Sequence, residues 1–395
     1  MAAQEKALLI LVGGRAAIPN ILTVIHQQPK VVIAICSAES YTDFPRLKET
    51  INEILPSCAV EAMPPVDAFA LEEIMQRCEK ALEKHLTAQW IFNITAATTI
   101  MSIAAYEVAK KYQQTCWYLN TSQTRIITLV GDRGDESIFY IEVPQYVAAY
   151  SRSLELGDLE ERRDYCEQQW LPFAQQLGKN PQQAALLKKV MKAIDKTKIK
   201  RPKKDEPKRY TLEGFSNETY NLLEQAQQLE LLSELHRATP SSFRFCLTHL
   251  QDNFLNGAWL EAYVWDEARK VQLFDDCQWN RKIISGDLSK ELDVAMTYKA
   301  QLLVVECKTG DDSEDTATLN KLEAVANLLG GKFVGKILVT SLFSPNGTDL
   351  NKLKGHNEFL AKADSQSIVV AMGENLPDIG SRLQKEAKDP TYKRI

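Results

Sequence analysis

Asp293, Glu306 and Lys308 are the residues whose types and spacing could carry chemistry. They stand in the stretch Gly286–Gly310, GDLSKELDVAMTYKAQLLVVECKTG. Two apolar runs of β-type composition, Leu292–Thr297 and Gln301–Cys307, are joined by the short polar turn Tyr298–Ala300. This predicts neighbouring strands of a hairpin, with the turn type left open because Lys stands where Asn or Gly is usual. Side chains alternate along a strand, so Glu306 and Lys308 leave by one face and Val305 and Cys307 by the other. Asp293, on the preceding strand, can come across to meet them. Two carboxylates so placed hold a hard divalent cation, Mg²⁺ or Mn²⁺, through oxygen. The ammonium of Lys308 can orient or activate an attacking water and offset charge building on a phosphate oxygen. E-x-K alone reads equally as an ion pair on a surface strand. Burying charge at the end of an apolar strand is costly unless it is paired or metal-bound, and Asp293 supplies the further partner.

The pattern D-(x)n-E-x-K on a hairpin, here ELDV…VVECKTG, resembles the PD-(D/E)XK core of restriction-endonuclease-like enzymes. Upstream, Asn256–Val264, NGAWLEAYV, predicts a helix starting after Gly257 and carrying Glu261. In that family such a helix often bears a further acidic residue at the metal site. The resemblance therefore implies a catalytic set of Glu261, Asp293, Glu306 and Lys308. Asp293 and Glu306 would be metal ligands, and Glu261 would help directly or through water. Downstream, a helix over Asp315–Leu329, a strand over Gly335–Thr340, a helix over Thr348–Ala361 and a strand over Ser367–Ala371 suit the same core; the tail beyond Leu383 is polar and expected to fray.

In the first half, apolar runs at Ala7–Val12, Val31–Cys36, Cys58–Met63, Trp90–Ile94 and Cys116–Leu119 alternate with helical patterns at Pro19–Gln27, Pro45–Leu55, Ala68–His85 and Met101–Tyr112. That alternation predicts a Rossmann-like α/β domain with a parallel sheet. Arg125–Val130 and Ile138–Val143 read as a terminal hairpin. Ligands of such sheets bind beyond the carboxyl ends of the strands, which here are the loops Gly13–Asn20, Ser37–Thr42, Asn93–Ser102 and Asn120–Ser122. Their Gly, Ser, Thr and Asn residues, Ser37 among them, offer donors to phosphates or bases, or simply cap helices. Gly13-Gly14 does not complete G-x-G-x-x-G, which argues against a dinucleotide cofactor.

Asn93-Ile94-Thr95-Ala96-Ala97-Thr98-Thr99 is similar to the N-x-T-G-G-T-K loop of CRISPR-associated Rossmann fold (CARF) domains. Asn93, Thr95 and Thr98 match; Ala96 and Ala97 replace the glycines and Thr99 the lysine. LVGGRAAIPN also resembles the family, with Gly14, Arg15 and Asn20 as contacts and Arg15 able to supply the phosphate charge that Thr99 lacks. The whole chain resembles the CARF nucleases activated by cyclic oligoadenylates, most weakly over residues 150–240. This implies a homodimer with cyclic tetra-adenylate on its two-fold axis as allosteric activator. It also implies DNA or RNA as substrate, with a lean toward single strands, in type III CRISPR antiviral defence.

Composition agrees without deciding. The 395 residues suggest two domains; 45% hydrophobic and 25% charged content is ordinary, and a net charge of −5 neither announces nor excludes a nucleic-acid binder. Eight cysteines lack any C-x-x-C pair and five histidines lack metal-ligand spacing, which fits buried thiols in a reducing cytoplasm. The start reads as a strand and not a signal peptide, and no stretch is apolar enough to span a bilayer. Tyr150–Leu177 reads as helical, and Pro181–Arg209 is strongly basic and broken by Pro202 and Pro207. It is either a solvated tether or a phosphate-steering arm. Leu212–Leu232 and Ser241–Phe254 read as helices, within a small helical or winged-helix insert.

The expected organisation is a sensor domain at 1–150, a helical and basic linker at 151–240 and a restriction-endonuclease-like α/β nuclease domain at 241–395. The leading expectation is a cyclic-oligoadenylate-activated, metal-dependent endonuclease. The alternatives are a regulator with an inert nuclease core, and a ring nuclease that degrades the messenger.

Overall fold

The computed structural model describes residues 5–13, 17–121, 123–132, 134, 139–150, 153–156, 169–197, 199–203, 206–286, 288–310, 314–345 and 350–393. The chain divides into two compact units: residues 1–154 with 284–288 and 297–301, and residues 155–283 with 289–296 and 302–395.

The first unit is built on β1 (Lys6–Val12), β2 (Val31–Cys36), β3 (Ala59–Ala62), β4 (Gln89–Asn93), β5 (Thr115–Asn120) and β6 (Arg125–Val130), in sheet order β3-β2-β1-β4-β5-β6. The strands β1 to β5 are parallel and β6 runs antiparallel to β5, with Leu119 opposite Ile126. Because KALLILV is apolar at every position after Lys6, β1 is buried on both faces and must be central. One core layer gathers Leu9, Leu11, Ile33, Ile35 and Phe92 under Ile74, Cys78 and Ala81 of helix Leu71–Lys84 and Met101, Ala105 and Val108 of helix Thr99–Lys111. The strand order reverses at β1, so the loops leaving β1 and β4 lie side by side.

One expectation fails here. The hairpin is formed by β5 and β6, not by Arg125–Val130 with Ile138–Val143. Ile138 lies outside the described residues, and Val143 opens the helix Val143–Ala149 with Pro144 in its first turn.

The rest of the chain carries β7 (Ser153–Leu156), a three-stranded sheet of β8 (Lys208–Glu213), β9 (Ser233–Thr239) and β10 (Ser242–Leu247), and then β11 (Asp276–Ser285), β12 (Leu288–Tyr298), β13 (Gln301–Lys308), β14 (Gly335–Thr340) and β15 (Ile368–Ala371). The large sheet has the order β15-β14-β13-β12-β11-β7, and β14 runs parallel to both β13 and β15. The predicted Ser241–Phe254 helix is instead strand β10 followed by the short helix His249–Asn253. In SFRFCL the side chains of Phe243 and Phe245 are buried while that of Arg244 faces solvent, a two-residue period that overrides helix propensity. Leu212 likewise belongs to β8, and helix Asn217–Gln228 starts only at its Ser216 cap. The expected Tyr150–Leu177 helix is corrected at Ser153–Leu156, which forms β7, while Leu171–Lys179 is helical and residues 157–168 lie outside the described residues. Beyond Leu383 the chain stays helical through Lys388, burying Leu383 and Ala387, so that stretch does not fray.

The helix bearing Glu261 is not uniform. Phe254–Ala258 forms a π-helical turn that runs into the α-helix Trp259–Lys270. The helix Leu171–Lys179 packs on it at Gly178, where a Cβ would come within 2.3 Å of the Tyr263 ring. Among the described residues no helix is long and apolar enough to cross a membrane.

Candidate active site and ligand loops

The β12–β13 connection is a two-residue turn in which Lys299 and Ala300 both have positive φ, 47° and 64°. That is the signature of a type I′ hairpin, adopted here without the usual Asn-Gly. Beyond it both strands are buried over most of their length, which brings charged side chains into the core.

Glu306 is 2% exposed and Asp293 3% exposed. The Asp293 carboxylate accepts a hydrogen bond from the Cys307 amide at 2.6 Å, which fixes one strand's acid to the other strand's backbone. Glu306 Oε1 receives two ammonium groups, Lys308 Nζ at 2.6 Å and Lys321 Nζ at 2.8 Å. Lys308 comes from the same strand. Lys321 comes from helix Thr316–Leu328, whose first turn is capped by Asp315. Glu261 sits half-buried on the facing helix, and Trp279 Nε1 of β11 donates to its Oε2 at 3.2 Å.

The electrostatics tie these groups into one cluster. Burial, and then the charge of Glu306, push Asp293 up to about 7. Burial and the charges of Asp293 and Glu291 hold the Glu261 carboxyl well above the usual carboxylate range, against the Trp279 hydrogen bond and Lys308. Burial would lower the Lys308 ammonium, but Glu306 and Asp293 outweigh it and hold Lys308 above its ordinary value. The Cys307 thiol is raised well above its ordinary value, chiefly by burial and then by Asp293, so it takes no part as a thiolate.

The structure thus brings together all four sequence-predicted residues, Glu261, Asp293, Glu306 and Lys308. It adds three that sequence reasoning missed. Glu291 shares a face with Asp293 by the two-residue alternation, a signal that was readable in E-L-D. Trp279 and Lys321 arrive from other elements, and only the packing reveals them. Among the described residues no group of three or more His, Cys, Asp or Glu side chains is placed to hold a metal ion. The donor set nevertheless suits a hard cation. It consists of the carboxylate oxygens of Asp293 and Glu306 on adjacent strands, with Glu261 on the facing helix.

In the first unit the loops after β1 and β4 touch backbone to backbone. Gly13 N–H donates to Ala96 O at 2.7 Å, and a Cβ on Gly13 would lie 2.8 Å from Ala97 Cα. Behind this approach lies a buried polar hub. The Asn93 amide donates to Pro19 O (2.9 Å), Asn20 Oδ1 (3.2 Å) and Thr23 Oγ1 (3.0 Å), while its oxygen accepts from Thr95 N (3.1 Å) and Thr95 Oγ1 (2.7 Å). Asn20 in turn donates to Leu11 O, and Thr95 accepts from the Leu119 amide. Asn93 and Asn20 are therefore spent on internal bonds. Thr98 caps helix Thr99–Lys111, accepting from Met101 N and donating to Ala68 O, and Thr99 is exposed at the first helical position. Ser37 is buried and bonded to Ser40. Gly14 and Arg15 lie outside the described residues.

Residues 9–146 match the family model described as the Card1 CARF domain, and residues 249–372 that of the Card1-like endonuclease domain. The chain carries a Card1-type CARF domain and a Card1-like endonuclease domain. The hub and its loops belong to the CARF domain, and Glu261, Asp293, Glu306 and Lys308 to the endonuclease domain.

Solved structures agree on the fold. The chain is similar to protein VC1899 from Vibrio cholerae, at 18% identity with 97% of this chain and 98% of that one covered and a TM-score of 0.74. It is similar to Can2 from Sulfobacillus thermosulfidooxidans, solved in complex with cyclic tetra-adenylate, at 20% identity, 98% of both chains and a TM-score of 0.65. It is also similar to a type III CRISPR defence DNA nuclease activated by cyclic oligoadenylate, at 15% identity and a TM-score of 0.54, covering 89% of this chain and 48% of that one. A search of curated proteins found no match.

Proposed function

We propose that this chain is a metal-dependent endonuclease of type III CRISPR defence, switched on by a cyclic oligoadenylate held at the loops after β1 and β4. The observation that carries the reading is the buried Asp293–Glu306 pair with Lys308 at 2.6 Å, inside the stretch matched by the endonuclease model.

In this reading Asp293 and Glu306 hold Mg²⁺ or Mn²⁺, and Glu261 reaches it through water, in a PD-(D/E)XK arrangement. The cation, when bound, would supply a Lewis acid and a lowered pKa for the water it binds. Lys308 positions the attacking water and offsets charge on a non-bridging phosphate oxygen. Lys321 holds the Glu306 carboxylate in place, and the Trp279 N–H orients Glu261. The substrate is DNA, RNA or both, with single strands favoured.

In the sensor, Thr98 and Thr99 face the ligand, with Gly14 and Arg15 as further contacts implied by the family resemblance, while Asn20, Ser37, Asn93 and Thr95 shape the loops. The Can2 complex supports cyclic tetra-adenylate as the ring. A symmetric ligand matches an isologous interface, which supports a homodimer. The described cysteines are unpaired, which supports a reducing cytoplasm. The sensor takes residues 1–150, and the nuclease domain lies in the second unit, where the sheet of β8, β9 and β10 joins residues on both sides of position 240.

The test is to incubate purified protein with Mn²⁺ or Mg²⁺, supercoiled plasmid and labelled single-stranded DNA and RNA, with and without cyclic tetra-adenylate. Cleavage that requires both ligand and metal, and that Glu306→Gln abolishes, is the expected result. Cleavage by the Glu306→Gln protein would sink the assignment.

A further inference from the structure

The loops at the carboxyl ends of β1 to β4 are joined by hydrogen bonds into a closed circuit. Gly13 N–H donates to Ala96 O at 2.7 Å, which links the loops after β1 and β4. Thr98 Oγ1 donates to Ala68 O at 3.1 Å and ties the β4 loop to the β3 loop. Ala38 N–H donates to Val66 O at 3.2 Å, and Val66 N–H to Cys36 O at 3.0 Å, joining the loops after β3 and β2. The Ser40 hydroxyl closes the circuit by donating to Val12 O at the end of β1. The β3 loop, absent from the ligand loops read in the sequence, is therefore part of the same rim.

Phe69 follows Ala68 on this rim and is 75% exposed. Its backbone is fixed. Asp67 Oδ1 accepts from the Phe69 amide at 2.9 Å, the Asp67 amide donates to Glu73 Oε2 at 3.3 Å, and Ala70 N–H donates to Asp67 O at 3.1 Å. Val66 and Ala68 pack inward on the core, so the turn is anchored while its largest apolar side chain points out. Tyr41, exposed on the β2 loop, already stacks on Phe44 with ring centroids 6.4 Å apart. Among the described residues no ring or cation packs on Phe69. A phenyl group held at its backbone, with two side-chain torsions left, loses little freedom on stacking. Every nucleobase offers a π-face that complements it. Asp67 and Glu72 beside it are exposed carboxylates, which repel phosphate but accept from an exocyclic amino group such as adenine carries. Thr99, also exposed, lies one residue from the Thr98–Ala68 bond, as Phe69 does, and offers a hydroxyl at the same corner.

We propose that Phe69 is a stacking platform for an adenine base of the cyclic oligoadenylate. The proposal rests on the ligand reading above and extends it from the loops after β1 and β4 to the β3 loop. It gives that corner of the rim the base of the ligand and leaves the phosphates to the crevice between β1 and β4.

The test is a calorimetric titration of the full chain with cyclic tetra-adenylate. Phe69→Ala should weaken binding about tenfold, the scale of one lost base stack, while the melting temperature of the free protein stays unchanged because the side chain is exposed. Phe69→Trp should restore the affinity and Phe69→Leu should not, which separates stacking from apolar cover. In the Phe69→Trp protein the ligand should also quench tryptophan fluorescence beyond the change seen in the parent. Sedimentation of the free proteins checks the other occupant, a second copy of the chain. Unaltered affinity in Phe69→Ala, full restoration by Phe69→Leu, or a smaller sedimenting species in Phe69→Ala would each overturn the platform. A parent protein that does not bind cyclic tetra-adenylate would overturn the ligand reading itself, and is told apart because it fails before any substitution is made.

Discussion

Lys321 reaches Glu306 Oε1 at 2.8 Å, on the same carboxylate oxygen that Lys308 takes at 2.6 Å. A buried carboxylate is thereby held from two directions, by its own strand and by the next helix. Removing the two lysines should have different effects. Lys308→Ala should reduce cleavage by about two to four orders of magnitude, in the range of a missing proton-transfer or water-positioning group. Lys321→Ala should keep cleavage at saturating Mn²⁺ but weaken apparent metal affinity roughly ten- to a hundredfold, as when an outer partner of a metal ligand is removed. A Mn²⁺ titration of cleavage separates them, and equal loss at saturating metal would place Lys321 in the reaction itself.

Asp293 predicts a pH dependence of stability. Its folded pKa is about 7, against an unfolded value of about 3.9. Below about pH 4 both states hold the proton. As pH rises toward 7 the unfolded state releases it first, so the folded state loses stability across that window, by on the order of a few kcal/mol. In a chelating buffer the melting temperature should fall from about pH 4 to about pH 7 and level off above that. Asp293→Asn should flatten that fall, and Mn²⁺ should reverse it at the alkaline end. Parallel profiles for the two proteins would remove Asp293 as the cause.

Gly13→Ala should cost about 1–3 kcal/mol, since the new Cβ meets backbone at Ala97 and not a movable side-chain tip. Forcing the two loops apart also breaks the Gly13–Ala96 hydrogen bond. A lower melting temperature together with a smaller shift on adding cyclic tetra-adenylate is expected. Full retention of both would show that the loops tolerate separation.

Asn93 and Thr99 should part company in the same assay. Asn93→Leu strands Pro19 O and the Thr95 donors in a buried site and should cost about 2–4 kcal/mol. Thr99→Ala, at an exposed first-turn position, should leave stability within about 0.5 kcal/mol of the parent and weaken only the ligand response. A ligand response untouched by Thr99→Ala would remove that residue from the ligand-facing set.

Sequence alone was enough for much of this. Continuous apolar runs such as KALLILV read correctly as strands of a parallel sheet, and Gly335–Thr340 matches β14 end to end, because burial on both faces leaves little ambiguity. The E-x-K pair and Asp293 were legible for the same reason: charge at the end of a buried strand stands out. Lys321 and Trp279 were not, since a lone Lys on an amphipathic helix or a Trp in a strand carries no sign of which carboxylate it will meet. SFRFCL was misread because so short a window lets period two and period 3.6 compete. Asn93 was seen, but its interior commitments were not, since the partners are Pro19, Asn20 and Thr23, far away in the chain.

The turn Phe254–Ala258 sets a phase. A π-turn is one residue wider than an α-turn, so everything after it is rotated by about 100° relative to an uninterrupted helix. Tightening it to α geometry at the same residue count would leave composition, length and hydrophobicity unaltered and still swing Glu261 by about 100° off Trp279, whereas deleting one residue at the same time would restore its aim. The acid's aim is stored as a count of backbone units, and a comparison that aligns residues by type alone would pass over it.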